Sequence, residues 1–588
     1  MARSTPEGAG IVEPDDGRKL ITRRRFITMS AVAAAGGVLA ACGQDAEEVA
    51  TTPAATSPPA TTAATTATTE AMADEAAPAT TEAPLTTTVA TTAPTTTQPA
   101  QVGGTVVVDQ ATEPPALNPW QFNFQYVIWM SDLVEEPLYR YDDDLKIIPW
   151  LASELPTASD DGLTWDIPIR EGVQFHNGDT LTAQHVVDLF AKGAESGIWR
   201  SRFAFGIDST EALDDNLLRV NFSKPFSIFL DKLALMAIRH PDNFEATDKF
   251  LGTGPFVHTA YDQGSSATFA RNDNYWGTQP SIEGVEFRFV ADNGARLVNL
   301  IRGDSTVYPE TEPNSVPLLE AEANITVLNQ QSPFEILWWN NVGREPFNDK
   351  RIVEAMARSM DRQAVNDIVF GGLGTIAQGM LGPATGGYDP NFKPFTDTAD
   401  LATARALMSD ATNLVFDEDG NIAEGDPVEF DVMFINSPTV RDLGAVLQQQ
   451  WLAVGLRANL AFLEIAAWVA LFFDSDYDIG VSVSTDGPSQ GATAWSSLGT
   501  ARSDHFFNTM KYYNDEYTQL ISDSFGEPDD ATRFAMWRRA NEILTLDFVM
   551  TPPVYPPFVV STHASLQGNL LGPMRTNRLA LENTSFVA

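Results

Sequence analysis

Apolar positions keep different rhythms in different parts of this chain. From Ile27 to Ala41 they run almost unbroken and are largely Ala and Gly. From Thr51 to Ala100 the chain becomes a Thr/Ala/Pro tract with no aromatic residue, no Lys and no Arg. From about Val102 the pattern turns globular. Gly103-Gly104 followed by Thr105-Val106-Val107-Val108 reads as a Gly turn entering a buried strand. Apolar residues at 352, 353, 356, 360, 365, 368 and 369 follow helical spacing, and Asn348-Asp349 can cap their start, so one helix is predicted from Arg351 to Val369. A strand from Val428 to Ile435 precedes an amphipathic helix from Leu443 to Val454, which Gly455 stops before a strand from Leu456 to Leu463. Short β-runs and helices alternate in this way to Ala588, which predicts an α/β fold. A body of about 490 residues exceeds what one core holds, so two or three lobes are expected. No repeat of solenoid period is present.

The two N-terminal rhythms carry an address. The apolar run of 15 residues is shorter and softer than a membrane span. It follows Thr22-Arg23-Arg24-Arg25-Phe26-Ile27 and ends in Leu39-Ala40-Ala41-Cys42. This arrangement resembles a twin-arginine signal joined to a lipobox, in which residues 1–41 are removed and Cys42 carries the lipid. Cys42 is also the only cysteine of the chain. Residues 42–101 cannot bury enough apolar area to offset ordering entropy, and are expected to form a disordered Thr/Ala/Pro linker. As a coil it reaches about 40–45 Å. The protein is therefore expected outside the cytoplasm, held to the cell membrane by a lipid anchor.

Composition then removes classes of function. A single cysteine excludes an internal disulfide, a CxxC redox pair and a Cys-rich zinc site. The net charge is −41, and removal of the net-positive residues 1–41 leaves the remainder more acidic still. Such a surface argues against nucleic-acid binding and against docking on anionic lipid by charge. HExxH, GxSxG, Walker and Rossmann glycine motifs are absent from the sequence. The six His, at 176, 185, 240, 258, 505 and 563, are scattered. No catalytic residue, no metal ligand and no cofactor is assigned, and the chain is read as a non-enzyme.

A set of collinear segments resembles family 5 of the extracytoplasmic solute-binding proteins, the peptide and nickel receptors of ABC importers. The segments are Gly103 to Val108, Pro115-Ala116-Leu117-Asn118-Pro119, Glu136-Pro137-Leu138-Tyr139, Pro149-Trp150-Leu151-Ala152, Ser159 to Trp165, Ile169 to Gly178, Leu181-Thr182-Ala183 and Val186-Val187. Gly252-Thr253-Gly254-Pro255-Phe256, Arg271 to Gly277 and Pro346 to Arg351 complete them. Most also read as scaffold. Asn177-Gly178 suits a hairpin, Thr182 can cap a helix starting at Ala183, and Gly252 to Pro255 reads as a crossover whose small residues absorb backbone change on closure. The resemblance implies a type II periplasmic-binding-protein-like fold of two lobes, a hinge and an additional domain. Lobe I is expected from 102–141, 255–337 and 555–588, the additional domain from 142–254, and lobe II from 338–554. It implies a monomer that takes a small-molecule or peptide ligand and hands it to the transmembrane subunits of an ABC permease. A nickel chelate, an oligosaccharide or a sensory role in the envelope are the alternatives.

In peptide-binding relatives an acidic residue late in lobe II meets the ligand's α-amino group, and Asp486 is the matching candidate here. The family pattern has a Trp shortly before that acid, where this chain carries Ser482-Val483-Ser484. Asp486 equally suits an Asx-turn before Gly487-Pro488. Arg441 is the candidate for an anionic ligand group, because it lies close to a helix N-terminus, although a helix-surface Arg reads the same way. Glu113 follows the first strand, where relatives often touch ligand. Trp339 and Trp495 are candidate cleft aromatics. The adjacent Trp338 and Trp339 must point to opposite faces of a strand, so one of them belongs to the core.

Overall fold

The computed structural model describes residues 100–587 apart from 102, 122–123, 144–145, 196–206, 332–335, 384, 484–507 and 573–577. All of these fall in one compact unit, Gln98–Ala588. Cys42, its signal and its linker lie outside the described residues.

Two sheets with separate cores organise the described body. The first has seven strands in the order Ile325–Gln331, Pro557–His563, Val307–Tyr308, Thr105–Gln110, Gly284–Phe289, Ser266–Arg271 and Phe256–Asp262. The predicted strand after Gly103-Gly104 lies near its middle, parallel to Gly284–Phe289 and to Val307–Tyr308, with Val106 and Val108 fully buried. Gly104 takes φ +88°, and a Cβ there would stand 2.7 Å from the Phe586 ring, so only glycine fits this entry. The second sheet has four strands, ordered Ile336–Asn340, Ile479–Val483, Val428–Ile435 and Leu456–Leu463. Val428–Ile435 and Leu456–Leu463 run parallel and are joined by the helix Pro438–Leu452, a βαβ unit. The first core gathers Val106, Trp129, Phe287, Phe558 and Leu581; the second gathers Trp338, Met356, Phe430, Trp451 and Val554.

A third layer lies between Thr157 and Phe222. Four antiparallel strands, Thr157–Ala158, Thr164–Pro168, Leu217–Phe222 and Ile207–Asp214, are covered by the helix Ala183–Glu195. Thr182 sits ahead of that helix as predicted, and its hydroxyl lies 2.8 Å from His185 Nδ1.

Three local expectations change. The predicted helix from Arg351 to Val369 is two helices, Lys350–Arg358 and Arg362–Phe370. Asp349 caps the first as expected. Asp361 then caps the second by accepting from the Ala364 N–H at 2.8 Å, which restarts the helix although apolar spacing continues through the break. The helix predicted from Leu443 begins earlier, at Pro438, because Ser437 is its N-cap and proline suits a first position. Gly252 and Gly254 have a packing reason. A Cβ on Gly252 would lie 2.2 Å from the Val134 carbonyl oxygen, and one on Gly254 would lie 2.5 Å from that of Leu133. The 252–254 strand of chain is pressed against residues 133–135, where no side chain fits.

The scattered sequence landmarks converge on one buried carboxylate. Glu136 Oε1 accepts from Trp150 Nε1 at 2.7 Å and Tyr275 OH at 2.6 Å. Its Oε2 accepts from Trp276 Nε1 at 2.8 Å and Thr253 Oγ1 at 2.9 Å. Next to it, Glu135 accepts from the fully buried Arg239 at 2.7 Å. Burial raises the Glu135 carboxyl, and the Arg239 charge and hydrogen bond oppose the rise. These pairs clamp the first lobe to the segments that lead into and out of the third layer.

Candidate functional site

Open α/β sheets place ligands beyond the carboxyl ends of their strands. The helix Pro438–Leu452 starts just after such an end, at Ile435. Ser437 accepts from the Val440 N–H at 3.4 Å, and Pro438 has no N–H to satisfy. The partial positive charge of this helix start faces a cavity of about 530 Å³ through Ser437, Thr439, Val440 and Leu443. The same cavity takes Ile336 and Phe370 from the second lobe, and Thr112, Gln125, Tyr126, Arg296, Glu310, Glu312 and Phe558 from the first. Both lobes thus supply walls, and the volume lies within the roughly 300–1,000 Å³ usual for small-ligand sites.

The charged side chains of the cavity come from the turn after Val307–Tyr308 and the helix Asn293–Arg302. Arg296 is 3% exposed. Its Nη1 donates to the Val290 and Ala291 carbonyls at 2.6 and 2.9 Å, and its Nη2 to Tyr308 OH at 3.2 Å. Glu312 stands 3.6 Å from the same guanidinium and accepts from Asn293 Nδ2 at 2.8 Å. Glu310 differs. Its side chain is exposed at the cavity wall. Loss of solvation to the surrounding protein pushes its pKa up to about 6, with Arg296 pulling the other way. Burial, and then the Glu310 charge, push the Tyr126 phenol up to about 12. The Tyr126 ring stacks on Phe124 at 5.2 Å. The site therefore offers apolar walls, one committed guanidinium, two carboxylates and a helix N-terminus, a set suited to holding an amphoteric solute.

The residues singled out from sequence distribute as follows. Glu113 accepts from Tyr261 OH at 2.6 Å and the Gly264 N–H at 2.8 Å, tying the exit of the first strand to the hairpin 256–271. Its neighbours Ala111 and Thr112 line the cavity. Arg441 is exposed in the first turn of its helix, donates to Asn436 Oδ1 at 2.9 Å and lies 5.0 Å from the Phe462 ring centroid. Neither Glu113 nor Arg441 is among the cavity-lining residues. Trp339 is 5% exposed and packs on Trp468 and Phe472, while Trp338 packs on Trp451 across the sheet, so both are core residues on opposite faces. Asp486 and Trp495 lie outside the described residues. His176 holds a turn, its Nε2 2.9 Å from the Gly254 carbonyl oxygen, and burial lowers its pKa.

Arg296, Glu310, Glu312 and Tyr126 were not found from sequence. Asn436-Ser437-Pro438 did mark the helix start, and the residues facing the cavity are its cap and first turn, one helical face away from Arg441. Glu310 carried no signal beyond an acid between Pro309 and Pro313. Among the described residues, no group of three or more His, Cys, Asp or Glu could hold a metal ion, and no helix is long and apolar enough to cross a membrane.

Comparison with known proteins bears on this geometry. The profile of the family described as bacterial extracellular solute-binding proteins, family 5 Middle, matches residues 146–505. A glutathione-binding protein, GsiB of Escherichia coli O1:K1 / APEC, is 25% identical over 488 residues, covering 80% of this chain and 92% of its own. The periplasmic binding protein DppA from Helicobacter pylori, in complex with the peptide STSA, superposes with a TM-score of 0.71 at 19% identity, covering 83% of this chain and 99% of that one. NikA from Brucella suis, in complex with Fe(III)-EDTA, superposes with a TM-score of 0.73 at 20% identity, covering 82% and 100%.

Proposed function

Because this chain belongs to family 5 of the bacterial extracellular solute-binding proteins, we propose that it captures a peptide or peptide-like solute outside the cytoplasmic membrane and delivers it to an ABC permease. Its fold is the type II periplasmic-binding-protein-like one. The observation that carries the ligand class is the cavity between the two lobes. It pairs carboxylates and a guanidinium from one lobe with a helix N-terminus from the other. A peptide presents both charges and a polar backbone to such walls. Ligand contacts to both lobes stabilise the closed arrangement, so capture needs no bond chemistry. Glutathione and STSA, bound by a relative and a structural neighbour, are of this class.

In this reading Cys42 carries the lipid, residues 42–101 are the tether, and the body works as a monomer beside its permease. Lobe I comprises 102–141, 255–337 and 555–588, lobe II 338–554, and 142–254 the additional domain. Asp486 and Trp495 are further proposed ligand contacts on the family resemblance alone. A second reading, capture of a metal chelate, draws on the neighbour that holds Fe(III)-EDTA.

The test is a thermal-shift panel of di- to tetrapeptides, glutathione and metal chelates, with mass spectrometry of whatever co-purifies. A ligand at one hundred times its Kd stabilises the native state by about 2.7 kcal/mol. Stabilisation by chelates but by no peptide overturns the first reading in favour of the second.

A further inference from the structure

We propose that Glu310 forms a cation subsite within the cavity, so that the solute is one bearing an ammonium or guanidinium group. This deepens the proposed capture of an amphoteric solute and rests on that reading of the cleft. Three observations combine. Glu310 lines the cavity, and among the described residues it makes no hydrogen bond and no ion pair. The cation nearest in charge terms is Arg296, which is already committed to two carbonyls, Tyr308 OH and Glu312. With Arg296 balanced by Glu312, the cavity keeps one unmatched negative charge, and Glu310 bears it.

A carboxylate at a cavity wall without a counter-charge is open to pairing by an incoming cation, and the raised pKa of Glu310 agrees with that lack of a partner. Tyr126, close enough to feel the Glu310 charge, adds a cavity-lining aromatic ring that stacks on Phe124. A ring beside a carboxylate suits a cationic nitrogen on an apolar stem. Gln125 and Thr112 supply neutral polar groups to the same cavity. An anionic group would meet Glu310 with repulsion, and its place is at the Ser437–Val440 helix start on the other lobe.

The experiment uses the purified full chain and its Glu310→Gln variant, which keeps the side chain's shape. Probes are Ala-Lys-Ala against Ala-norleucine-Ala, Ala-Ala-Ala against N-acetyl-Ala-Ala-Ala, and the non-peptide cations spermidine and arginine, read by calorimetry and thermal shift. The expected result is a preference for at least one cationic member of a pair, reduced about tenfold or more by Glu310→Gln, with neutral members within twofold. The ligand-free melting temperature of the variant should equal or exceed that of the natural chain, whereas a structural Glu310 would lower it. Peptide binding that is indifferent to Glu310→Gln overturns the subsite and leaves peptide capture standing. Cation binding that depends on Glu310, with no peptide bound, overturns peptide capture and leaves the subsite standing. Binding of no cationic probe by the natural chain overturns the subsite outright.

Discussion

Glu136→Ala should be among the most damaging single changes in this body, and its cost can be worked from four distances. The substitution removes the acceptor for Trp150 Nε1 and Tyr275 OH, at 2.7 and 2.6 Å, and for Trp276 Nε1 and Thr253 Oγ1, at 2.8 and 2.9 Å, and also the ion-pair partner of Arg140 Nη2 at 3.4 Å, which adds to those four losses. A buried donor left unpaired costs about 1–3 kcal/mol. Thr253 is fully buried and takes the upper figure. Trp150, Tyr275 and Trp276 are half-buried and recover some water, so about 1 kcal/mol each applies, and the sum is about 6 kcal/mol. Glu136→Gln discriminates the mechanism. Whichever way its amide turns, one indole and one hydroxyl face the oxygen, and the other such pair faces the NH₂. The hydroxyl can rotate and accept, but an indole only donates. One orphan remains, with an expected loss of about 2 kcal/mol. Urea unfolding of the full chain, followed by tryptophan fluorescence, measures both. Equal losses for Ala and Gln, or a loss below about 2 kcal/mol for Ala, would refute the view that this carboxylate is held for the two indoles and two hydroxyls that donate to it.

Gly252→Ala pushes a Cβ to 2.2 Å from the Val134 carbonyl oxygen and should cost about 3 kcal/mol or more, whereas Gly172, with nothing within 4 Å, loses only its conformational advantage on change to Ala; differential scanning calorimetry separates the two. Affinity for a cationic solute should fall as pH drops from 7 to 5, because Glu310 takes up a proton near 6; Arg296, Glu312 and Tyr126 are its ionisable neighbours in the cavity, and Glu310→Gln should flatten this profile. In the ligand-free protein the sign reverses. A carboxyl with a raised folded pKa stabilises most below its ordinary pKa and loses that contribution as pH rises through about 6, so the advantage of Glu310→Gln should grow with pH over the same window. Cys42→Ser should release the protein from the membrane fraction without changing solute affinity, and persistence of lipid on the variant would remove Cys42 from its proposed role.

Sequence reading succeeded where signals were local. The strand Leu456–Leu463 lies between Gly455, at φ +80°, and a helix, and its bounds were readable residue by residue. It failed at Asp361, where the apolar spacing of one helix carried across a cap that starts another. It also could not see why Glu136, Trp150, Tyr275 and Trp276 belong together, since the contacts span up to 140 positions. The site suffered in the same way. Its walls come from segments between Ala111 and Val559, and the strand that presents Glu310 is only two residues long. Residues with a strong local look, such as the Trp338-Trp339 pair, proved to be core.

The two sheets also differ in when they can be finished. Every strand of the four-stranded sheet lies between Ile336 and Val483. The seven-stranded sheet takes its central strand from Thr105–Gln110, yet Val307–Tyr308 next to it pairs with Pro557–His563. During synthesis the later-encoded sheet can close first, while the earlier one waits for nearly the last of the chain. A nascent protein stalled before Pro557 would carry the open edges of Val307–Tyr308 and Ile325–Gln331, surfaces ready to pair with a neighbour. The lobe that begins the body is thus the last to be made safe from aggregation.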